Sequence, residues 1–264
     1  MGKKALLVIS FGTSYPETRA KTIGAIEDVL KAAYPDYDFY RAFTARMIIK
    51  KLKNRDGEAV DTPLEAMERL KAEGYEEVVC QTTHVINGYE YDLTLSELRQ
   101  YAHDFKTLTL GVPLLTTQED FEAVARILAG DIPELSADEA CVFMGHGTDH
   151  HANSAYPAMD YYFKHHGYPG VFMGTVEGFP ELSDILPKLE AGGYKRVHLM
   201  PFMIVAGDHA QNDMAGEDDE SWKSQLMAQG YEVVCHLKGI GENKAIQEMF
   251  VEHARGAKDV KEIL

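Results

Sequence analysis

Apolar positions along this chain follow two rhythms in turn. Short strand-prone runs at Ala5 to Ser10, Asp38 to Phe43, Glu77 to Gln81 and Thr107 to Leu110 have the length and composition of strands. Between them the apolar residues recur every three or four positions, the spacing that lines one face of a helix. The succession returns as Ala140 to Met144, Gly170 to Gly174, Arg196 to Met203 and Glu232 to His236, with helical patterns such as Glu181 to Glu190 in between. Alternating strands and helices predict parallel sheets, because a parallel neighbour is reached only through a crossover, which a helix fills. The pattern predicts an α/β chain of two Rossmann-like lobes, each built on a four-stranded parallel sheet.

The second half repeats details of the first. Phe11-Gly12-Thr13 aligns with His146-Gly147-Thr148 at an offset of 135, each following an apolar strand. Gly74-Tyr75-Glu76-Glu77-Val78 aligns with Gly193-Tyr194-Lys195-Arg196-Val197 at an offset of 119, which also pairs Gly88-Tyr89-Glu90 with Gly207-Asp208-His209. Internal duplication is the economical explanation. The connector is expected around Asp131 to Ala137, near Pro133, giving an amino-terminal lobe over 1–134 and a carboxyl-terminal lobe over 135–264 whose last helix packs back on the first.

Charge narrows the functions. Lys and Arg number 26 against 42 Asp and Glu, and a net charge of −16 repels a phosphate backbone, so no nucleic acid is expected as partner. Apolar runs such as Val197 to Ala206 fall short of the roughly 20 residues that cross a bilayer, so no membrane is expected either. The basic start Met1-Gly2-Lys3-Lys4 runs through Ala5 to Ile9 without a convincing cleavage site and reads as the first strand of a cytoplasmic protein. Cys80, Cys141 and Cys235 are odd in number, lack a CxxC spacing and lie in apolar runs, which predicts buried free thiols.

In open α/β sheets ligands bind beyond the carboxyl ends of the strands. Of the 11 histidines, His146 follows the strand ending at Met144 and His209 lies beyond the strand that includes Met203, while Glu177 follows the run Val171 to Gly174. Two imidazoles and a carboxylate in one lobe form a common ligand set for a divalent transition metal and leave coordination positions open. Gly145, Gly147, Gly174, Gly178 and Gly207 beside them would let something bulky approach, although glycine is also the usual residue of such turns. The first lobe has Phe11, Arg46 and Glu90 at the matching places, so one metal centre is expected, faced across a cleft by those three. Glu90 is the candidate proton acceptor there. His84 is expected to line the cleft, and His150 with His151 either cap a helix start or form an auxiliary metal patch. His165 and His166 read as structural, Met200 and Met203 as core.

Four segments together resemble the anaerobic cobaltochelatases of the CbiK type over essentially the whole chain: Leu-Val-Ile-Ser-Phe-Gly-Thr-Ser at Leu7 to Ser14, Val-Phe-Met-Gly-His-Gly-Thr ending at Thr148, Gly174-Thr175-Val176-Glu177-Gly178, and the run from Pro201 to His209. The resemblance implies a two-lobed chelatase fold, shared with the ferrochelatases, and insertion of Co²⁺ into the tetrapyrrole sirohydrochlorin without ATP, on a route to cobalamin. It makes Co²⁺ the substrate metal, replaceable by Fe²⁺ or Ni²⁺, and implies no organic cofactor. The family's ligands map onto His146, Glu177 and His209, and Glu90 lies toward its active-site cleft. His146 is expected to take a pyrrole proton. Sirohydrochlorin carries many carboxylates, so Arg46, Arg19 and the helix start after Thr13-Ser14 are the expected anchors, with Phe11, Ser14, Arg46 and His84 as substrate-binding residues. Chelatases of this kind often self-associate, which implies a homo-oligomer as a further partner. An iron or nickel chelatase, or a metal or tetrapyrrole binder without turnover, stays open as the alternative.

Overall fold

The computed structural model describes residues 2–263. The chain divides into two compact units, one running to Thr116 and resuming at Asn243, the other covering Thr117–Glu242.

In the first unit β1 (Lys3–Ser10) leads through α1 (Pro16–Lys21) and α2 (Ile23–Ala33) to β2 (Asp38–Phe43). Helices α3 (Arg46–Asp56) and α4 (Pro63–Ala72) precede β3 (Tyr75–Thr82), and α5 (Tyr89–Arg99) precedes β4 (Thr107–Gly111). The parallel order is β2-β1-β3-β4. Because β1 is flanked on both edges, it is buried continuously from Ala5 to Ser10, whereas the edge strand β2 is only partly buried until Ala42. That contrast is why β1 reads as an unbroken apolar run and β2 does not. Helix α4 starts where the Thr62 hydroxyl accepts the Glu65 N–H and the Glu65 carboxylate accepts the Thr62 N–H, a reciprocal cap that stabilises a helix start by about 1 kcal/mol.

The second unit opens with α6 (Gln118–Ala129), then alternates β5 (Glu139–Gly145), α7 (Ala155–His165), β6 (Val171–Thr175), α8 (Leu182–Gly192), β7 (Arg196–Pro201), α9 (Trp222–Ala228) and β8 (Glu232–Cys235). Its sheet order β6-β5-β7-β8 repeats the first unit's, with the first strand between the second and third. On one face lies a core of Val142, Met144, Leu199, Ile185 and Trp222. On the other, Phe143 stacks on Phe163 at 5.3 Å and meets Phe202 edge-on at 6.2 Å. The repeated glycines share a backbone conformation: Gly12 and Gly147 have φ of 98° and 83°, Gly74 and Gly193 of 77° and 69°.

Several sequence expectations need correction. The first sheet has five strands, because α10 (Lys244–Arg255) returns to pack on α2, β3 and β4, and β9 (Lys258–Asp259) then pairs antiparallel with β4. A two-residue strand is too short to carry a period. The units part at Thr116 and Thr117 rather than at 134, since α6 buries Val124, Ala125 and Leu128 and stacks Phe121 on Tyr162 of α7 at 5.7 Å. Pro133 thus sits inside the second unit. Strand β7 ends at Pro201, which has no N–H for the ladder, and not at Met203. Met200 is buried, and Met203 packs at the edge of the second core. Cys80 and Cys141 are buried free thiols whose ionisation burial pushes far upward, while Cys235 is only half-buried. Among the described residues no helix is long and apolar enough to cross a membrane.

Candidate metal centre

The strand order β6-β5-β7 sets three carboxyl ends side by side. His146 directly follows β5, Glu177 lies two residues past β6, and His209 opens a π-helical turn, His209–Met214, beyond β7. The structure brings the three together: one ligand atom from each lies within 4.8 Å of the others. His146 Nδ1 is 3.7 Å from Glu177 Oε2, and the two imidazoles meet edge to face at 4.6 Å. Ligands at about 2.1 Å from one shared ion stand roughly 3–4 Å apart, so small side-chain rotations close this set on a metal. The imidazoles are partly exposed and Glu177 is exposed, which leaves the site open to an incoming ion and to a ligand on the solvent side.

Main-chain bonds hold the first two of these residues together. The Glu177 N–H donates to the His146 carbonyl at 2.8 Å, and the Val176 N–H reaches the Gly145 carbonyl at 3.1 Å. Asn153 clamps both loops: its Oδ1 accepts the Thr148 N–H at 3.1 Å and its Nδ2 donates to the Phe179 carbonyl at 2.6 Å. Tyr156 packs its ring against Gly145 beneath the His146 loop, and burial raises its pKa.

The glycines make these close approaches possible, but protein and not ligand fills their space. A Cβ on Gly145 would meet Tyr156 at 2.3 Å, one on Gly147 the Gly178 nitrogen at 2.6 Å, and one on Gly174 Ile185 and Trp222 at 2.6 and 2.8 Å. Gly178 is equally filled by Asn153 Oδ1 at 2.4 Å, whereas a Cβ on Gly207 would meet only Val205, at an ordinary contact distance of 3.9 Å. The expectation that these glycines admit a bulky ligand therefore fails for four of the five.

In the first unit, the other expected residues fall at the carboxyl ends of β1, β2 and β3. Phe11 follows β1 and is 48% exposed. Arg46 is exposed at the first turn of α3, where a helix dipole disfavours a cation, so its placement serves no helix-stabilising end. Glu90 stands in the first turn of α5 with Oε2 buried and no hydrogen-bond partner among the described residues. Burial pushes the nearby Glu97 carboxyl above its usual range, with Arg46 opposing and Glu90 adding to the rise. The His84 ring is held at Nδ1 by the Thr82 hydroxyl, and burial lowers its pKa to about 4.

Ser14 is 2% exposed, and its carbonyl accepts from Arg55 at 2.6 Å. Arg19 is not a free anchor, because its guanidinium donates to Glu58 at 2.7 Å in a network that continues through Arg41 to the fully buried Glu27. His150 Nδ1 accepts the Ala152 N–H and caps the short turn His151–Ser154, the capping role anticipated for it. His166 pairs with Glu122 at 3.1 Å.

Sequence reasoning missed Asn153, Tyr156 and Asp213, whose carboxylate lies 2.6 Å from His209 Nδ1. It also missed Met47, Tyr89 and Leu93, large apolar side chains exposed near Arg46 and Glu90 in sequence. Capping and clamping roles depend on loop conformation, but exposed apolar residues immediately after predicted strands were a usable signal.

Two α/β units of one strand order, one of them bearing an open His, Glu, His set at its strand ends, define a fold of chelatase type with a candidate metal site. SirB from Bacillus subtilis, solved with Fe³⁺, shares this fold with a TM-score of 0.63 at 13% identity over 96% of this chain and 94% of its own. The model of the cobalt chelatase (CbiK) family matches residues 4–259, and the chain belongs to that family. It is 47% identical to the sirohydrochlorin cobaltochelatase of Salmonella typhimurium over 97% of this chain and 96% of the relative. It is also 35% identical to sirohydrochlorin cobaltochelatase CbiKC of Nitratidesulfovibrio vulgaris over 97% and 91%.

Proposed function

We propose that this chain inserts Co²⁺ into sirohydrochlorin in the cytoplasm, without ATP, releasing two protons. The observation that carries the reading is the convergence of His146, Glu177 and His209, from three adjacent strand ends, within 4.8 Å. Neutral imidazoles and a carboxylate bind a divalent cation well enough to strip some of its water, and with only three protein ligands the remaining positions stay free for pyrrole nitrogens.

Insertion couples ligand exchange to deprotonation. The macrocycle must lose two pyrrole protons as four nitrogens replace the ion's previous ligands. Each bond from the metal to a protein nitrogen that breaks releases a lone pair beside the macrocycle, and we assign His146 the role of taking one pyrrole proton on the lone pair so released. Glu90 takes the second, and its unpaired buried Oε2 supports that role. Arg46 faces the substrate's peripheral carboxylates, offsetting the repulsion a chain of net charge −16 exerts on a polyanion, while Phe11 packs on the ring's apolar surface.

The test is a spectrophotometric insertion assay with sirohydrochlorin, run in parallel with Co²⁺, Fe²⁺ and Ni²⁺. The proposal expects the fastest turnover with Co²⁺ and loss of turnover in His146→Ala and His209→Ala with an unchanged circular dichroism spectrum. Binding of both substrates with no new absorption bands would instead make the chain a carrier.

A further inference from the structure

Two histidines of the proposed metal set differ in what holds their other nitrogen. His146 Nδ1 lies 3.0 Å from the carbonyl oxygen of Gly147, a neutral acceptor, and 3.7 Å from Oε2 of Glu177, beyond hydrogen-bond reach. His209 Nδ1 lies 2.6 Å from Oδ2 of Asp213, a carboxylate. The local backbone makes the second contact. The turn from His209 to Met214 is π-helical, with the Ala215 N–H donating to the Ala210 carbonyl five residues back at 3.2 Å. A helical turn places residue i+4 beside residue i, and so sets the Asp213 carboxylate against the His209 ring.

We propose that Asp213 is the positioning residue for His209, and that the difference between the two histidines makes His209 the ligand that retains the metal and His146 the one that releases it. A neutral imidazole has one N–H and one lone pair, and an ionised carboxylate can only accept. Asp213 therefore requires the proton on His209 Nδ1 and turns the lone pair of Nε2 to the ion. A carboxylate behind a ligating imidazole also makes it a stronger donor, which a backbone carbonyl does more weakly. As the macrocycle competes for the ion, the weaker bond, that of His146, breaks first, and the lone pair it frees is the one that accepts the pyrrole proton. The inference rests on the metal-holding role proposed above for His209, and it adds which histidine keeps the ion and why.

The tautomer is read directly. Two-bond proton–nitrogen correlation spectra of protein labelled with ¹⁵N-histidine, recorded metal-free at a pH where the ring is neutral, are expected to show His209 protonated on Nδ1. The Asp213→Asn variant is expected to weaken Co²⁺ binding about 10- to 100-fold, followed by the visible absorption of the bound ion with no tetrapyrrole present. The KM for Co²⁺ should rise by a similar factor while that for sirohydrochlorin stays unchanged, and Asp213→Glu should recover part of the loss. A wild-type His209 protonated on Nε2 would overturn the inference, as would Co²⁺ affinity within about twofold of wild type in Asp213→Asn. The parallel variant His209→Ala separates this inference from the reading beneath it. Weakened binding there beside unchanged binding in Asp213→Asn defeats the positioning role alone. Unchanged binding in His209→Ala defeats the metal site and, with it, the division of labour between the histidines.

Discussion

His84 illustrates how one buried ring sets a pH dependence. Its imidazole stays neutral in the folded chain down to about pH 4, while in the unfolded chain it titrates near 6.5. As pH falls between those values the unfolded state takes a proton that the folded state refuses, so stability declines, by up to about 3 kcal/mol, and levels off below. Burial and the neighbouring His198 also lower the His236 pKa, which acts in the same direction. Denaturant titrations between pH 7 and 4 should show this loss, and His84→Asn should flatten it; an equally steep decline in that variant would contradict the assignment. At the proposed proton acceptor, Glu90→Gln should reduce kcat by at least about tenfold with sirohydrochlorin binding nearly unchanged, because the amide keeps the shape and loses the base. Equal loss of both would make Glu90 a substrate contact instead. The three candidate ligands were legible in the sequence because each is a metal-binding residue type at a strand's carboxyl end. Asp213 was not, because an acid four residues past a histidine becomes its partner only on a helical turn, and no helical pattern marks His209 to Met214 in the sequence. Arg19 misled for a similar reason: Glu58, the partner that occupies it, is distant in the chain.

Among the elements, the loops after β5 and β6 form one interlocked structure. Gly147→Ala combines a left-handed φ of 83° with a Cβ placed 2.6 Å from a backbone nitrogen. It should destabilise the protein by about 1–3 kcal/mol or more and displace both His146 and Glu177. Gly57→Ala is the control, since its φ of 69° carries a similar backbone cost with nothing within 4 Å of the new Cβ. Thermal unfolding with Co²⁺ titration distinguishes them: both variants should lose stability, but only Gly147→Ala should lose metal affinity. Asn153→Ala should likewise weaken Co²⁺ binding, by releasing the Thr148 and Phe179 backbone groups it joins. The strands themselves were readable from burial, as β1, buried from Ala5 onward, shows best. The short β9 and the return of α10 were harder, because a long-range pairing of two residues leaves no periodic trace.

For the whole molecule, charge and duplication matter most. The shared strand order of the two sheets accounts for the repeated motifs, and the divergence of Phe11 from His146 and of Glu90 from His209 confines the candidate imidazole ligands to the second unit. A net charge of −16 attracts a divalent cation and repels a polycarboxylate. Raising ionic strength from about 0.01 to 0.15 M shortens the screening length from roughly 30 to 8 Å. The KM for Co²⁺ should then rise and that for sirohydrochlorin fall; movement of both in one direction would show that local charge, not the overall field, governs encounter. The most direct test of the central claim is an anomalous-scattering map at the cobalt absorption edge from crystals equilibrated with Co²⁺. The account predicts one dominant peak within about 2.3 Å of a nitrogen of His146, a nitrogen of His209 and an oxygen of Glu177. A fully occupied cobalt bound elsewhere, with these three side chains free of it, would contradict it.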